Sequence, residues 1–125
     1  MGKLSDSIKL RAMRRIRGAV AEVDTLEVGF KTNAGYRIAA TLTLPAGRGP
    51  FPAAVLCPGS NHDRTGFDHV EPVRPDEVAG LGCAALTFDP TGRGESWGPE
   101  DFGGPEHQDA AASAVRWLRT HESIR

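Results

Sequence analysis

At 125 residues the chain has one domain's worth of core, and no second domain is expected. Its 15 basic and 16 acidic side chains leave a formal charge of -1, which excludes a general electrostatic case for nucleic-acid binding. No apolar stretch reaches the roughly 18 residues of a membrane span. Cys57 and Cys83 both lie in apolar runs that suit packed, reduced thiols, which favours a cytoplasmic setting.

Residues 1–22 form a basic amphipathic segment. On a helical wheel Leu4, Ile8, Ala12, Met13 and Ile16 share one half-circle, while Lys3, Arg11, Arg14 and Arg17 cluster on the other. Its shortness and lack of an aromatic anchor favour a lead-in packed on the domain over a membrane-surface or partner-binding helix. From Val23 the period changes to two, with Val23, Thr25, Glu27 and Gly29 opposite Asp24, Leu26, Val28 and Phe30, which predicts a strand. Thr32-Asn33-Ala34-Gly35 supplies turn chemistry, and a second alternating run places Tyr36, Ile38, Ala40, Leu42 and Leu44 on one face. An antiparallel hairpin is predicted.

Pro45 to Pro52 reads as a surface loop. It leads into Ala53–Cys57, apolar on both faces and predicted as a buried strand, which Pro58-Gly59-Ser60-Asn61 ends abruptly. Residues 61–72 have loop composition. Pro75, with Asp76 and Glu77 behind it, opens a short helix to about Leu81. Cys83–Phe88 is then a second buried strand, and the helical crossover makes the two strands parallel. After the glycine turn Asp89–Ser96, Pro105 and Glu106 begin a helix to about His121, with Ala110, Ala111, Ala114, Val115 and Leu118 on its inner stripe.

Single motifs carry little. Ser60, His62 and Asp63 are triad residue types, but a triad converges from separate elements rather than from one short loop. His62-Asp63 and Asp68-His69 fit no standard zinc spacing, and neither a metal nor a cofactor is expected. Cys57 reads as a packed strand thiol rather than a nucleophile. Gly92-Arg93-Gly94 fails as a dinucleotide fingerprint, since the third glycine falls at Trp97 and no helix opens directly. Trp117, on the last helix, is a packing residue before it is a stacking platform for a ligand.

In combination the pattern is far more specific. The hairpin, the strand with its Pro-Gly-Ser turn, His62-Asp63-Arg64, the short helix, the second strand with Asp89-x-x-Gly92-x-Gly94-x-Ser96, and the alanine-rich helix together resemble the N-terminal half of an α/β-hydrolase. They are most similar to dienelactone-hydrolase-like and X-Pro-dipeptidyl-peptidase-like serine hydrolases. The resemblance covers residues 23–121, so that 23–125 is the N-terminal portion of such a domain. It implies an α/β, three-layer architecture: a partial sheet made of a hairpin plus two parallel strands, with flanking helices.

The same resemblance assigns an oxyanion-hole amide to Ser60 or Asn61, although Pro58 stands where the family usually has histidine. It assigns Asp89, Gly92, Gly94 and Ser96 to the turn that shapes the active-site rim. The family's nucleophile lies in a G-x-S-x-G elbow, with acid and histidine later still. The family places that elbow after a fifth strand, which these 125 residues do not reach, so the chain alone is expected to lack ester, thioester or peptide hydrolysis. A small acyl substrate is implied for the parent enzyme. The Ala53–Cys57 strand is expected to present an open edge suited to self-association or to complementation by another strand. The alternative is a small non-catalytic binding or assembly protein that keeps the half-fold.

Overall fold

The computed structural model describes residues 23–125. The basic segment assigned to residues 1–22 therefore lies outside the described residues. Four strands form one mixed sheet: β1 (Val23–Lys31), β2 (Arg37–Pro45), β3 (Ala53–Leu56) and β4 (Ala84–Phe88). Their spatial order is β1-β2-β4-β3. β1 and β2 make the predicted antiparallel hairpin, in register from Val23↔Pro45 to Lys31↔Arg37. β4 runs antiparallel to β2 and parallel to β3, as the crossover predicts. Two α-helices flank the sheet, α1 (Pro75–Gly80) and α2 (Pro105–Leu118).

The hairpin turn is fixed by its own chemistry. Thr32 exchanges backbone hydrogen bonds with Tyr36 and Gly35, and Gly35 takes a φ of 90° that an L side chain rarely adopts. The Asp109 carboxylate on α2 accepts from the Asn33 and Ala34 N–H groups, tying this turn to the helix.

The pleat separates two unlike faces. Even-numbered Phe30, Ile38, Ala40, Leu42, Ala84, Leu86 and Phe88 are buried against Ala110, Ala114 and Leu118 of α2, and this is the hydrophobic core. The fully buried Leu42 and Leu86 each contribute roughly 1.5–3 kcal/mol by leaving water. Trp117 stacks on Phe30 with ring centroids 6.2 Å apart, the packing role expected of it. The opposite face carries Thr25, Thr41, Thr43 and Thr87, which with Arg64, Arg74 and Asp76 line a polar cavity of 330 Å³. α1 lies on this side against β4, β2 and β1.

Several expectations need correction. β3 is four residues long and half-buried throughout rather than buried as its apolar run predicts, because it lies at the sheet's edge, where the open edge was expected. It stops at Leu56, so Cys57 falls beyond the ladder and is an exposed residue, while Cys83 is only half-buried; neither is a packed core thiol. The polar loop 61–72 contains a 3-10 turn, Arg64–Asp68, started by the Asp63 carboxylate accepting from the Thr65 N–H. α2 ends at Leu118 rather than His121, and Val115 is exposed instead of lying on the inner stripe.

Candidate functional site

β3 and β4 are parallel neighbours, so the loops after them leave the same end of the sheet. Open α/β sheets bind ligands in the crevice beyond the carboxyl ends of such strands. A cleft of 160 Å³ lies there. Its walls come from Cys57 to Ser60 after β3, from Phe88 at the end of β4 with Pro90 and Arg93 after it, from Phe102 and Gly103, and from His107 and Ala111 on α2.

The turn after β4 is tied both to itself and to its neighbours. Asp89 is 2% exposed. Its carboxylate accepts from the Arg64 backbone N–H at 2.8 Å, from Arg64 Nη1 at 2.6 Å and from the Glu95 N–H at 2.9 Å. The Ser96 hydroxyl donates to the Asp89 carbonyl and accepts from the Ala39 N–H at 2.9 Å, stitching the turn to β2. A Cβ at Gly94 would run into the Asp89 carboxylate, and one at Gly92 into the Glu100 backbone; both glycines have positive φ. Asp89, Gly92, Gly94 and Ser96 thus act together as one hydrogen-bonded and sterically closed unit.

The turn after β3 is different. The Gly59 carbonyl accepts from the His62 N–H at 3.1 Å, closing a β-turn with Ser60 and Asn61 at its centre. Asn61 takes a φ of 63°, a left-handed conformation that asparagine tolerates. Neither the Ser60 nor the Asn61 N–H has a hydrogen-bond partner among the described residues. Ser60 lines the cleft. Asn61 instead lines a separate cavity of 140 Å³ with His62, Asp63 and His69.

Side chains from outside hold this turn in place. Glu71 Oε1 accepts from the Gly59 N–H at 2.7 Å and lies 3.0 Å from His62 Nδ1. The His62 contact foremost, then the Gly59 amide, keeps the Glu71 carboxyl below its ordinary pKa. From the other side Arg93 Nη1 donates to the carbonyls of Gly59 and His62, at 3.1 and 3.0 Å. Its remaining edge forks onto Glu100, whose pKa falls to about 2, chiefly through that side-chain hydrogen bond and against the opposing effect of desolvation.

His107 and Cys57 face the cleft without the features of catalytic groups. His107 Nδ1 accepts from the Gly103 N–H at 2.9 Å, which leaves Nε2 as the donor towards the Thr91 carbonyl at 2.9 Å and the Glu100 carboxylate. Neither ring nitrogen is free to take a substrate proton. Desolvation raises the Cys57 thiol pKa, the reverse of what activates a nucleophile. Among the described residues no group of three or more His, Cys, Asp or Glu side chains is arranged to hold a metal ion.

Arg64, Arg93, Glu71 and Glu100 organise this end of the sheet, and sequence reasoning gave none of them a role in the site. An available signal was the charge of Arg93 inside a glycine turn, where a cation needs a partner.

No protein-family model matches the chain, and no curated protein matches it. Solved structures do. A hypothetical protein of Pseudomonas aeruginosa superposes with a TM-score of 0.67 at 26% identity, over 84% of this chain and 33% of that one. The α/β-hydrolase GrgF of a Penicillium species gives 0.63 at 26%, over 81% and 34%. An esterase of Pyrococcus furiosus gives 0.64 at 18%, over 79% and 37%.

The chain therefore has a partial α/β-hydrolase fold. It corresponds to the N-terminal part of these proteins and spans about a third of their length, less than the half that the sequence motifs implied. The non-catalytic alternative gains no support from these neighbours. No helix among the described residues is long and apolar enough to cross a membrane.

Proposed function

We propose that these residues form the oxyanion side of a serine-hydrolase active site, one that transfers the acyl group of an ester, thioester or peptide to water. In such a site backbone N–H groups, fixed in advance, receive the negative charge that develops on the acyl oxygen. The observation that carries this proposal is that Ser60, whose N–H has no hydrogen-bond partner among the described residues, lines a cleft beyond the carboxyl ends of β3 and β4. Asn61, the other candidate donor, lines a different cavity, which favours Ser60. Asp89, Gly92, Gly94 and Ser96 shape the rim through the closed network described above.

Gly94-Glu95-Ser96-Trp97-Gly98 has the G-x-S-x-G spacing but is no nucleophile elbow, since the Ser96 hydroxyl is committed to the Asp89 carbonyl and the Ala39 N–H, and the cleft histidine is committed to other bonds. On this proposal the 125-residue chain binds an anion in the cleft and does not turn over esters. Among the structural neighbours is DcsB in complex with its substrate analogue, which fits a small-molecule substrate.

The open edge of β3 is the proposed docking line for a completing strand. Pro52 O accepts from the Ala84 N–H on the β4 side. On the other side, Phe51 bonds with Ser123 and Arg125 in a parallel bridge, at 2.8 and 3.0 Å. That bridge already sets the direction in which a further strand would run.

The test of the donor is a titration of ¹⁵N-labelled protein with methylphosphonate, a tetrahedral anion standing in for the acyl intermediate. Ser60 should show a saturable amide shift. Ser60→Pro removes the N–H at a turn position that proline favours, and should abolish the saturable shifts of the cleft amides of Gly103 and His107. An unmoved Ser60 amide would remove it as the donor.

A further inference from the structure

We propose that Arg93 is a positioning residue for the turn Gly59–His62, fixing the Ser60 N–H towards the cleft by immobilising the two carbonyls on either side of it. This deepens the reading of Ser60 as the oxyanion donor and rests on it. A donor of this kind works only if its peptide is held before charge develops, since a turn that can flip would present a carbonyl oxygen to the same anion.

Arg93 addresses that hazard directly. One nitrogen, Nη1, bonds both the Gly59 and the His62 carbonyls, at 3.1 and 3.0 Å, so neither oxygen can turn to repel an anion. Nε and Nη2 are engaged by Glu100, and Phe102 covers the guanidinium with its centroid 6.0 Å from Cζ. Four of the five N–H donors of the side chain are thereby committed. The cation is 10% exposed and neutralised by its partner, so it holds the turn rather than binding the anion itself. Glu71 completes the arrangement from the other side by accepting the Gly59 N–H. Of the turn's amides, those of Gly59 and His62 are used, and those of Ser60 and Asn61 remain.

The experiment compares the wild-type protein with Arg93→Met and Arg93→Lys in the methylphosphonate titration, reading the Ser60 amide. The amides of Ala40, Leu42 and Leu86 report whether the sheet is intact. Arg93→Met should weaken the Ser60 response at least tenfold while the sheet signals stay in place. Arg93→Lys should recover part of it, because an ammonium can reach the carbonyls but cannot fork onto Glu100.

An Arg93→Met protein that titrates like wild type overturns the role of Arg93 and leaves Ser60 standing as donor. A wild-type Ser60 amide that does not move overturns both. If Arg93→Met loses the sheet signals, Arg93→Lys decides: a weakened Ser60 response on an intact sheet supports the proposal, and an unchanged response overturns it.

Discussion

The two glycine turns at the carboxyl ends of β3 and β4 are close in space and opposite in design. The turn after β4 is closed on its own framework: the buried Asp89 carboxylate takes three donors, Ser96 bridges to β2, and Gly92 and Gly94 leave no room for a side chain. The turn after β3 is held from outside by Arg93 and Glu71 and keeps the Ser60 amide unused on the cleft. Rigidity belongs to the first turn and the proposed donor to the second. One turn is scaffold, and the other is free to present a donor because the scaffold holds it.

That division predicts which substitutions are costly. Gly94→Ala should have the largest effect, about 3 kcal/mol, since a methyl at positive φ displaces the buried Asp89 carboxylate from its donors. A urea midpoint lowered to match, at unchanged slope, would bear this out. Asp89→Asn should cost about 2 kcal/mol by the same measurement, because an amide cannot accept from all of Arg64 and Glu95.

The link between the turns gives a pH signature. Because the Glu100 carboxyl is held at about 2 rather than 4.5, its contribution to stability is fully present above about pH 4.5. It is lost as the pH falls through about 2. Glu100→Gln should therefore flatten the fall in stability across this window, and an unchanged acid profile would show that the carboxylate is not so held. The smallest effect belongs to the turn after β3. Asn61→Gly keeps the left-handed φ of 63° open and should shift stability by no more than about 0.5 kcal/mol. A loss comparable to that of Gly94→Ala would erase the contrast between the turns.

The sheet was legible because alternation and apolar runs are local signals. Ile38, Ala40 and Leu42 declare one face of β2, and Pro75 with Asp76 and Glu77 declares the start of α1. The Asp89–Ser96 spacing was legible for a related reason: the glycines are demanded by atoms within the same short stretch. What the sequence hid was the long-range pairing of charge. Arg64 meets Asp89 across 25 positions, and Arg93 meets the Gly59 carbonyl across 34, with no local pattern to announce either. The exposure of Cys57 was hidden likewise, and the edge position of β3 was legible only through the resemblance, because an apolar run of four or five residues reads the same in the centre of a sheet as at its edge.

The central claim is that this cleft holds the charge-receiving side of a hydrolase site and no nucleophile of its own. Incubating the purified 125-residue protein with a fluorophosphonate, followed by intact-mass measurement, tests it most directly, with p-nitrophenyl acetate hydrolysis followed in parallel. The account predicts no mass increase and a rate equal to that of buffer. A single adduct mapped to Ser60 or to any other serine, with ester turnover above buffer, would contradict it.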